Sequence, residues 1–310
     1  MDGTMKTTGK KRRLTKLEPV ADSHSSGPRA KSIRTVNGFN CSTIDPYPAH
    51  SSPTSDECLS VRDDLLNLHG FPREFLKYRK QRERLSECCS DVDDGGSEHR
   101  DNVESEPVDE KESVLDGLVR TVLSQNTTEA NSERAFASLK SAFANWEDVL
   151  LAESKCIEDA IRCGGLAPTK ASCIKNILSS LSKRRGKLCL EYLHDLSIDE
   201  IKAELSTFKG IGPKTVACVL MFNLQKDDFP VDTHVFEIAK FVGWVPDEAD
   251  RNKTYLHLNQ RIPNHLKFDL NCLLYTHGKV CSKCTKRTGG RQRKGSEDQS
   301  CPLFKYSKNP

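Results

Sequence analysis

A chain of 310 residues can bury a core large enough to be stable alone and holds one or two ordinary domains. A mean hydropathy of -0.59 with 36% hydrophobic residues predicts polar tails around a denser centre, and a net charge of +3 is too small to argue for a nucleic-acid partner by itself. No run reaches the roughly 18 apolar residues of a membrane span, no secretory leader is expected, and thirteen cysteines, an odd number, fit thiols or metal ligands in a reducing compartment better than a disulfide framework.

Residues 1–57 are rich in Ser, Thr, Pro, Lys and Arg without an apolar period, and are expected to be a disordered basic tail. Within it GKKRRLTK (9–16) has the look of a nuclear import signal, which predicts residence in the nucleus. Residues 58–87 hold Leu65, Leu66, Leu68, Phe71, Phe75 and Leu76, giving one or two helices broken near Gly70 and Pro72 that pack on the main domain. Residues 88–112 are an acidic linker, with nine acids against Arg100 alone over 91–110. From Lys111 onward the chain is basic by about six charges, a separation often found in nucleic-acid binders.

At Ser113 the texture changes. Val114, Leu115, Leu118, Val119, Val122 and Leu123 fall at helical spacing behind Ser113 as N-cap. Further apolar-periodic segments follow at 129–143, 146–152, 155–163, 170–183, 198–207, 214–224, 233–242, 253–262 and 266–276, separated by short turns. No period-two stretch is long enough for a strand. The expectation is an all-α domain over 113–280 with about ten helices, followed by a cysteine-containing basic tail, 281–310.

The stretch IDEIKAELSTFKGIGPKTVACVLMFNL (198–224) is the most informative. Gly210 and Gly212 flank Ile211, a spacing that lets the chain turn within a few residues and lets its backbone come close to a ligand. Pro213 suits the first position of a second helix, and Ile211 can plug the angle between the two. Amides left free at the new helix start then offer a seat for a DNA phosphate. Lys214 follows at once, and FPVDTHVFEIAKFVGW (229–244) places Asp232 18 residues further on.

This pattern resembles the helix-hairpin-helix DNA glycosylases, the superfamily that includes endonuclease III. Its hairpin is matched by LSTFKGIGPKT, and its lysine and aspartate by Lys214 and Asp232 within VDTH. LSQNT (123–127), GLAPTKA (165–171) and KFDLNCLLYTHGKVC (267–281) are similar to further family segments, in the same order. The resemblance covers 113–281 and implies a fold of two helical subdomains with the DNA cleft between them.

It also implies a role for each matched residue. Rupture of an N-glycosidic bond develops positive charge on the sugar, which the Asp232 carboxylate would stabilise. Lys214 would attack the anomeric carbon and hold the sugar as a Schiff base, so that strand cleavage by β-elimination follows base removal. Gly210, Ile211, Gly212 and Thr215 would grip the DNA backbone, while Gln125 and Asn126 would fill the gap left by the flipped base. Plainer readings exist: Asp232 and Thr233 suit the N-cap of the next helix, Gln125 and Asn126 suit a polar C-cap, and His234 reads as structural.

Many family members hold a [4Fe–4S] cluster on four C-terminal cysteines. Here Cys281, Cys284 and Cys301 form an incomplete set, and sixteen inserted residues (285–300) separate the last two. Loss of the cluster is the expectation, with His277 a conceivable fourth ligand of a zinc site. The expected partner is double-stranded DNA carrying a damaged or modified base, bound by a monomer with no membrane role. Oxidised pyrimidines rank first among substrates, ahead of mismatched thymine or uracil and of 5-methylcytosine. The competing reading is a catalytically inactive helix-hairpin-helix DNA-binding module.

Overall fold

Helix starts in this chain are written in polar caps, and the computed structural model, which describes residues 45–88, 112–284 and 301–307, uses them. Ser113, Thr128, Asn145, Ser197, Asp232 and Asp250 each accept a hydrogen bond from the amide three residues on. They open α3 (Val114–Leu123), α4 (Glu129–Ala142), α5 (Trp146–Leu151), α8 (Ile198–Ser206), α10 (Thr233–Phe241) and α11 (Arg251–Arg261). Each such cap stabilises its helix by about 1 kcal/mol. Before them come α1 (Ser55–His69) and α2 (Leu76–Cys88), broken at Gly70 and Pro72 as the sequence suggests. The set is completed by α6 (Ser154–Ala160), α7 (Ala167–Arg185), α9 (Pro213–Cys218) and α12 (Asn264–Val280), and no strand occurs among the described residues.

The helices bury two separate apolar cores. One is built from α3 to α9 and includes Leu118, Val122, Ile174, Leu205, Phe208 and Ile211. The other draws Val61 and Leu65 of α1 together with Val235, Ile238, Leu258, Leu270 and Leu274. A smaller aromatic cluster adjoins them, in which Phe71, Phe75 and Tyr78 pack with Phe222, Phe268 and Cys272. Phe75 and Phe222 stack with centroids 5.6 Å apart. The segment before the acidic stretch therefore packs directly on the hairpin's second helix. This is the all-α architecture expected of the 113–280 region.

Two boundaries need correcting. The tail expected to reach residue 57 is folded from at least Asp45. Its carboxylate meets His257 Nδ1 at 2.7 Å, the Ser52 carbonyl meets His257 Nε2 at 2.7 Å, and α1 already begins at Ser55 under a Thr54–Glu57 capping box. The cause is a set of contacts about 200 residues apart in the chain, which no local pattern can announce. The C-terminal tail is likewise only part tail: Cys284, Cys301 and Leu303 are buried in the second core. Lys305 and Tyr306 bind the Asp64 carboxylate of α1. Residues 1–44, 89–111 and 285–300, which include the import-type string, most of the acidic linker and the basic insertion, lie outside the described residues.

Lys170 shows how the GLAPTKA turn works. The ammonium is buried, and it donates to the carbonyls of Leu123 (2.7 Å) and Gly164 (2.8 Å). Burial pushes its pKa down from the ordinary lysine value. The residue ties the end of α3, just before Gln125, to the turn that opens α7.

Candidate functional site

The hairpin between α8 and α9 is assembled as its residue types require. Gly210 has φ 95°, a left-handed conformation, and a Cβ there would stand 2.8 Å from Cys173 Sγ. Ile211 is buried in the first core and fills the angle between the two helices. Gly212 differs: a Cβ there would meet nothing within 4 Å, so no internal contact demands a glycine. Pro213 is the first residue of α9 and Lys214 the second, with its side chain exposed. Lys214 takes part in none of the hydrogen bonds or ion pairs found among the described residues.

Asp232 stands at the N-cap of α10, where one carboxylate oxygen accepts from Val235 N at 2.8 Å. The capping reading of this residue is therefore correct, and its other oxygen is left for a second task. Lys214 and Asp232, 18 positions apart in the chain, line one cavity of about 260 Å³. The cavity lies where the two cores meet, with Thr121 of α3 on its wall as well as Asn271 and Tyr275 of α12. The other lining groups include Cys218, one turn after Lys214, whose thiol burial pushes up to about 11, opposed by Lys214 and assisted by Asp232 and Asp228.

Sequence reasoning missed most of the wall. After Cys218 the helix widens into one π-turn, Val219–Asn223, and this aims Asn223 at α3. Gly117 makes room for it, since a Cβ there would fall 1.8 Å from Asn223 Nδ2. Single π-turns of this kind gather at functional sites. Asn223 in the apolar run VLMFNL was the available signal. Tyr78 and Phe75 also line the cavity from the N-terminal segment, and no local pattern links them to it.

The remaining expected residues divide. Gln125 is brought to the hairpin, with Nε2 donating to Thr215 Oγ1 at 3.2 Å. Asn126 is exposed at φ 51°, a left-handed position that asparagine tolerates. The Thr215 side chain is buried and its hydroxyl accepts from Gln125. His234 packs its ring edge-on against Tyr275 and covers Gly278, as a structural residue would.

The cysteines form a second cluster, within the second core. Cys281, Cys284 and Cys301 are joined by His277 of α12, and the four ligand atoms lie within 4.8 Å of one another. His277 Nε2 is 3.4 Å from Cys284 Sγ and 3.4 Å from Cys301 Sγ, and the two sulfurs are 3.2 Å apart. A [4Fe–4S] cluster is held by four cysteine thiolates spread around a body of eight atoms. The group gathered here is too tight for that body, and a histidine takes the place of the fourth thiolate. These residues do not fit a [4Fe–4S] cluster.

Comparison with known proteins places this arrangement. A family described as "HhH-GPD superfamily base excision DNA repair protein" matches residues 119–264. An Arabidopsis thaliana protein named "Putative DNA glycosylase At3g47830" is 60% identical over 304 residues, covering 97% of this chain and 98% of that protein. The chain belongs to the HhH-GPD superfamily. The Arabidopsis thaliana "DNA glycosylase/AP lyase ROS1" is 34% identical over 119 residues, which are 38% of this chain but only 8% of ROS1. Among solved structures, a trapped endonuclease III–DNA covalent intermediate aligns with a TM-score of 0.53 at 19% identity, over 75% of this chain and 95% of that one. This last likeness speaks for the fold: an all-α helix-hairpin-helix glycosylase architecture, as the sequence predicts. The HhH-GPD match spans the hairpin, Lys214 and Asp232, and ends at the first residue of α12.

Proposed function

We propose that the chain is a DNA glycosylase that removes a damaged or modified base flipped out of duplex DNA, and that it then cleaves the strand through a Schiff base on Lys214. The observation that carries this reading is the shared cavity: an unpaired amine and a half-used carboxylate reach one space lined with amide and aromatic side chains. Its volume of about 260 Å³ has room for one extruded base. The two groups serve different moments of the reaction. Asp232 stabilises the positive charge that grows on the sugar as the glycosidic bond lengthens. Lys214 Nζ, having lost a proton towards Asp232, forms a bond to C1′, and the base departs with the electrons of the old bond and takes up a proton. Collapse to the imine opens the sugar, and loss of a C2′ proton expels the 3′ phosphate. That ROS1 is named as both a glycosylase and an AP lyase agrees with the second step.

The walls assign the remaining work. Tyr78, Phe222 and Tyr275 offer ring faces on which an extruded base can stack, and Asn223 and Asn271 offer amides that read its edge. Gln125, held beside the hairpin by Thr215, is the side chain that would enter the vacated stack. Gly212 leaves the backbone bare where a phosphate can approach the amides of Lys214 and Thr215.

The test is a panel of duplexes with single lesions, oxidised pyrimidines first, scored separately for base release and for nicking. Base release from at least one duplex, lost in Asp232→Asn while DNA binding persists, is the expected result. Equal binding to every duplex with release from none, unchanged by Asp232→Asn, would identify a non-catalytic binding module.

A further inference from the structure

We propose that His277, Cys281, Cys284 and Cys301 bind a single zinc ion in place of an iron–sulfur cluster, and that this ion fastens the C-terminal segment to the glycosylase domain. Four tetrahedral ligands at zinc bond lengths of about 2.3 Å to sulfur and about 2.0 Å to nitrogen stand roughly 3.5–3.8 Å from one another. The distances among His277, Cys284 and Cys301 are 3.2 to 3.4 Å, and all four ligand atoms lie within 4.8 Å of one another, a space for one ion.

The spacing supports the same assignment. His277 lies in the last turn of α12 and Cys281 is its C-cap, four positions on, so both ligands share one face of the helix end. Cys284 follows by the C-x2-C step common in zinc sites, and Cys301 returns after the insertion. The histidine is also oriented for the purpose. Its Nε2 points at the sulfurs, while Nδ1 is 2.9 Å from His69 Nε2 of α1, so in the tautomer with the proton on Nδ1, donated to His69, the Nε2 lone pair faces the ion. Metal-bound histidines almost always have such a partner on the far nitrogen. Burial adds weight, because His277, Cys284 and Cys301 are all buried and no apolar packing need brings an imidazole and three thiols to one point.

The site has a mechanical consequence. Residues 301–307 are joined to the second core by Leu303 and to α1 by the Asp64 contacts, and the ion adds a link from Cys301 to α12 across the insertion. Metal binding of this kind contributes folding free energy directly.

The experiment is elemental analysis of the full-length protein, purified without affinity metals after growth with both iron and zinc supplied. One zinc per chain, with neither stoichiometric iron nor acid-labile sulfide, is expected. Exchange with cobalt(II) should give the visible absorption of a tetrahedral thiolate complex. Cys301→Ser and His277→Gln should each lower zinc occupancy at least tenfold, whereas Cys156→Ser, at an exposed cysteine away from the cluster, should keep it. Chelation of the wild-type protein should lower its Tm by several degrees. Four irons with sulfide, or a metal-free protein with Cys284 and Cys301 oxidised or simply reduced, would overturn the proposal even if both variants failed to fold, since the wild-type measurement stands alone.

Discussion

Two polar clusters in this protein are built on opposite terms. At the junction of the cores, Lys214 is exposed with no partner among the described residues, and Asp232 spends one oxygen on a helix cap while facing a cavity with the rest. In the second core, His277 and the three cysteines are drawn together until each ligand atom faces the others, and His69 takes up the one nitrogen pointing away. Groups held apart around a void remain available to a reaction. Groups gathered around a point satisfy one another, or an ion, and stabilise the fold. The difference shows that reactive residue types alone do not mark an active site; what marks it is the unspent hydrogen-bonding capacity left beside empty space.

The largest effect expected from this contrast is on Lys214. Lys214→Gln should reduce strand nicking by about 10³-fold or more while changing stability by less than about 0.5 kcal/mol, since the side chain is exposed; gel assays and thermal melts check both. Asp232 comes next, because it has two tasks that one substitution separates. Asp232→Asn should keep the cap, as asparagine caps as well as aspartate, yet slow base release by about 10²–10³-fold in single-turnover assays. Asp232→Ala should lose the cap as well, costing about 1 kcal/mol in urea unfolding.

Buried groups behave in the opposite way. Lys170→Met removes the donor from two carbonyls inside the first core and should cost about 2–3 kcal/mol in urea unfolding, with a correspondingly lower midpoint. The two hairpin glycines give the finest comparison. Gly210→Ala meets both a left-handed backbone and Cys173, and should destabilise by about 1–3 kcal/mol. Gly212→Ala meets open space and should leave stability within about 0.5 kcal/mol, while weakening DNA binding in a titration at fixed salt. Equal behaviour of the two would remove the argument that Gly212 is kept bare for a phosphate.

Much of this was legible in the chain. Helix existence followed from apolar period and polar caps, and the hairpin from GIGP, because both are local: Ser113, Ser197 and Asp232 act on amides three residues away. Lys214 and Asp232 were legible through the resemblance alone, since nothing within either short segment says that they meet. What escaped depends on contacts far apart in sequence. His257 recruits Asp45 and Ser52 across more than 200 residues, Tyr78 reaches the cavity from a separate segment, and His277 completes the cysteine set only because α12 ends beside them. The π-turn that aims Asn223 at Gly117 lies beneath the resolution of periodicity, for one added residue in a helix leaves the apolar pattern almost unchanged.

The most direct test is to reduce a reaction of the protein and a cleavable duplex with borohydride and map the cross-linked residue by mass spectrometry. The account expects a covalent sugar adduct on the Lys214 peptide, absent in Lys214→Gln. An adduct on another lysine or on the N-terminal amine, or turnover of the duplex with no adduct at all, would contradict it.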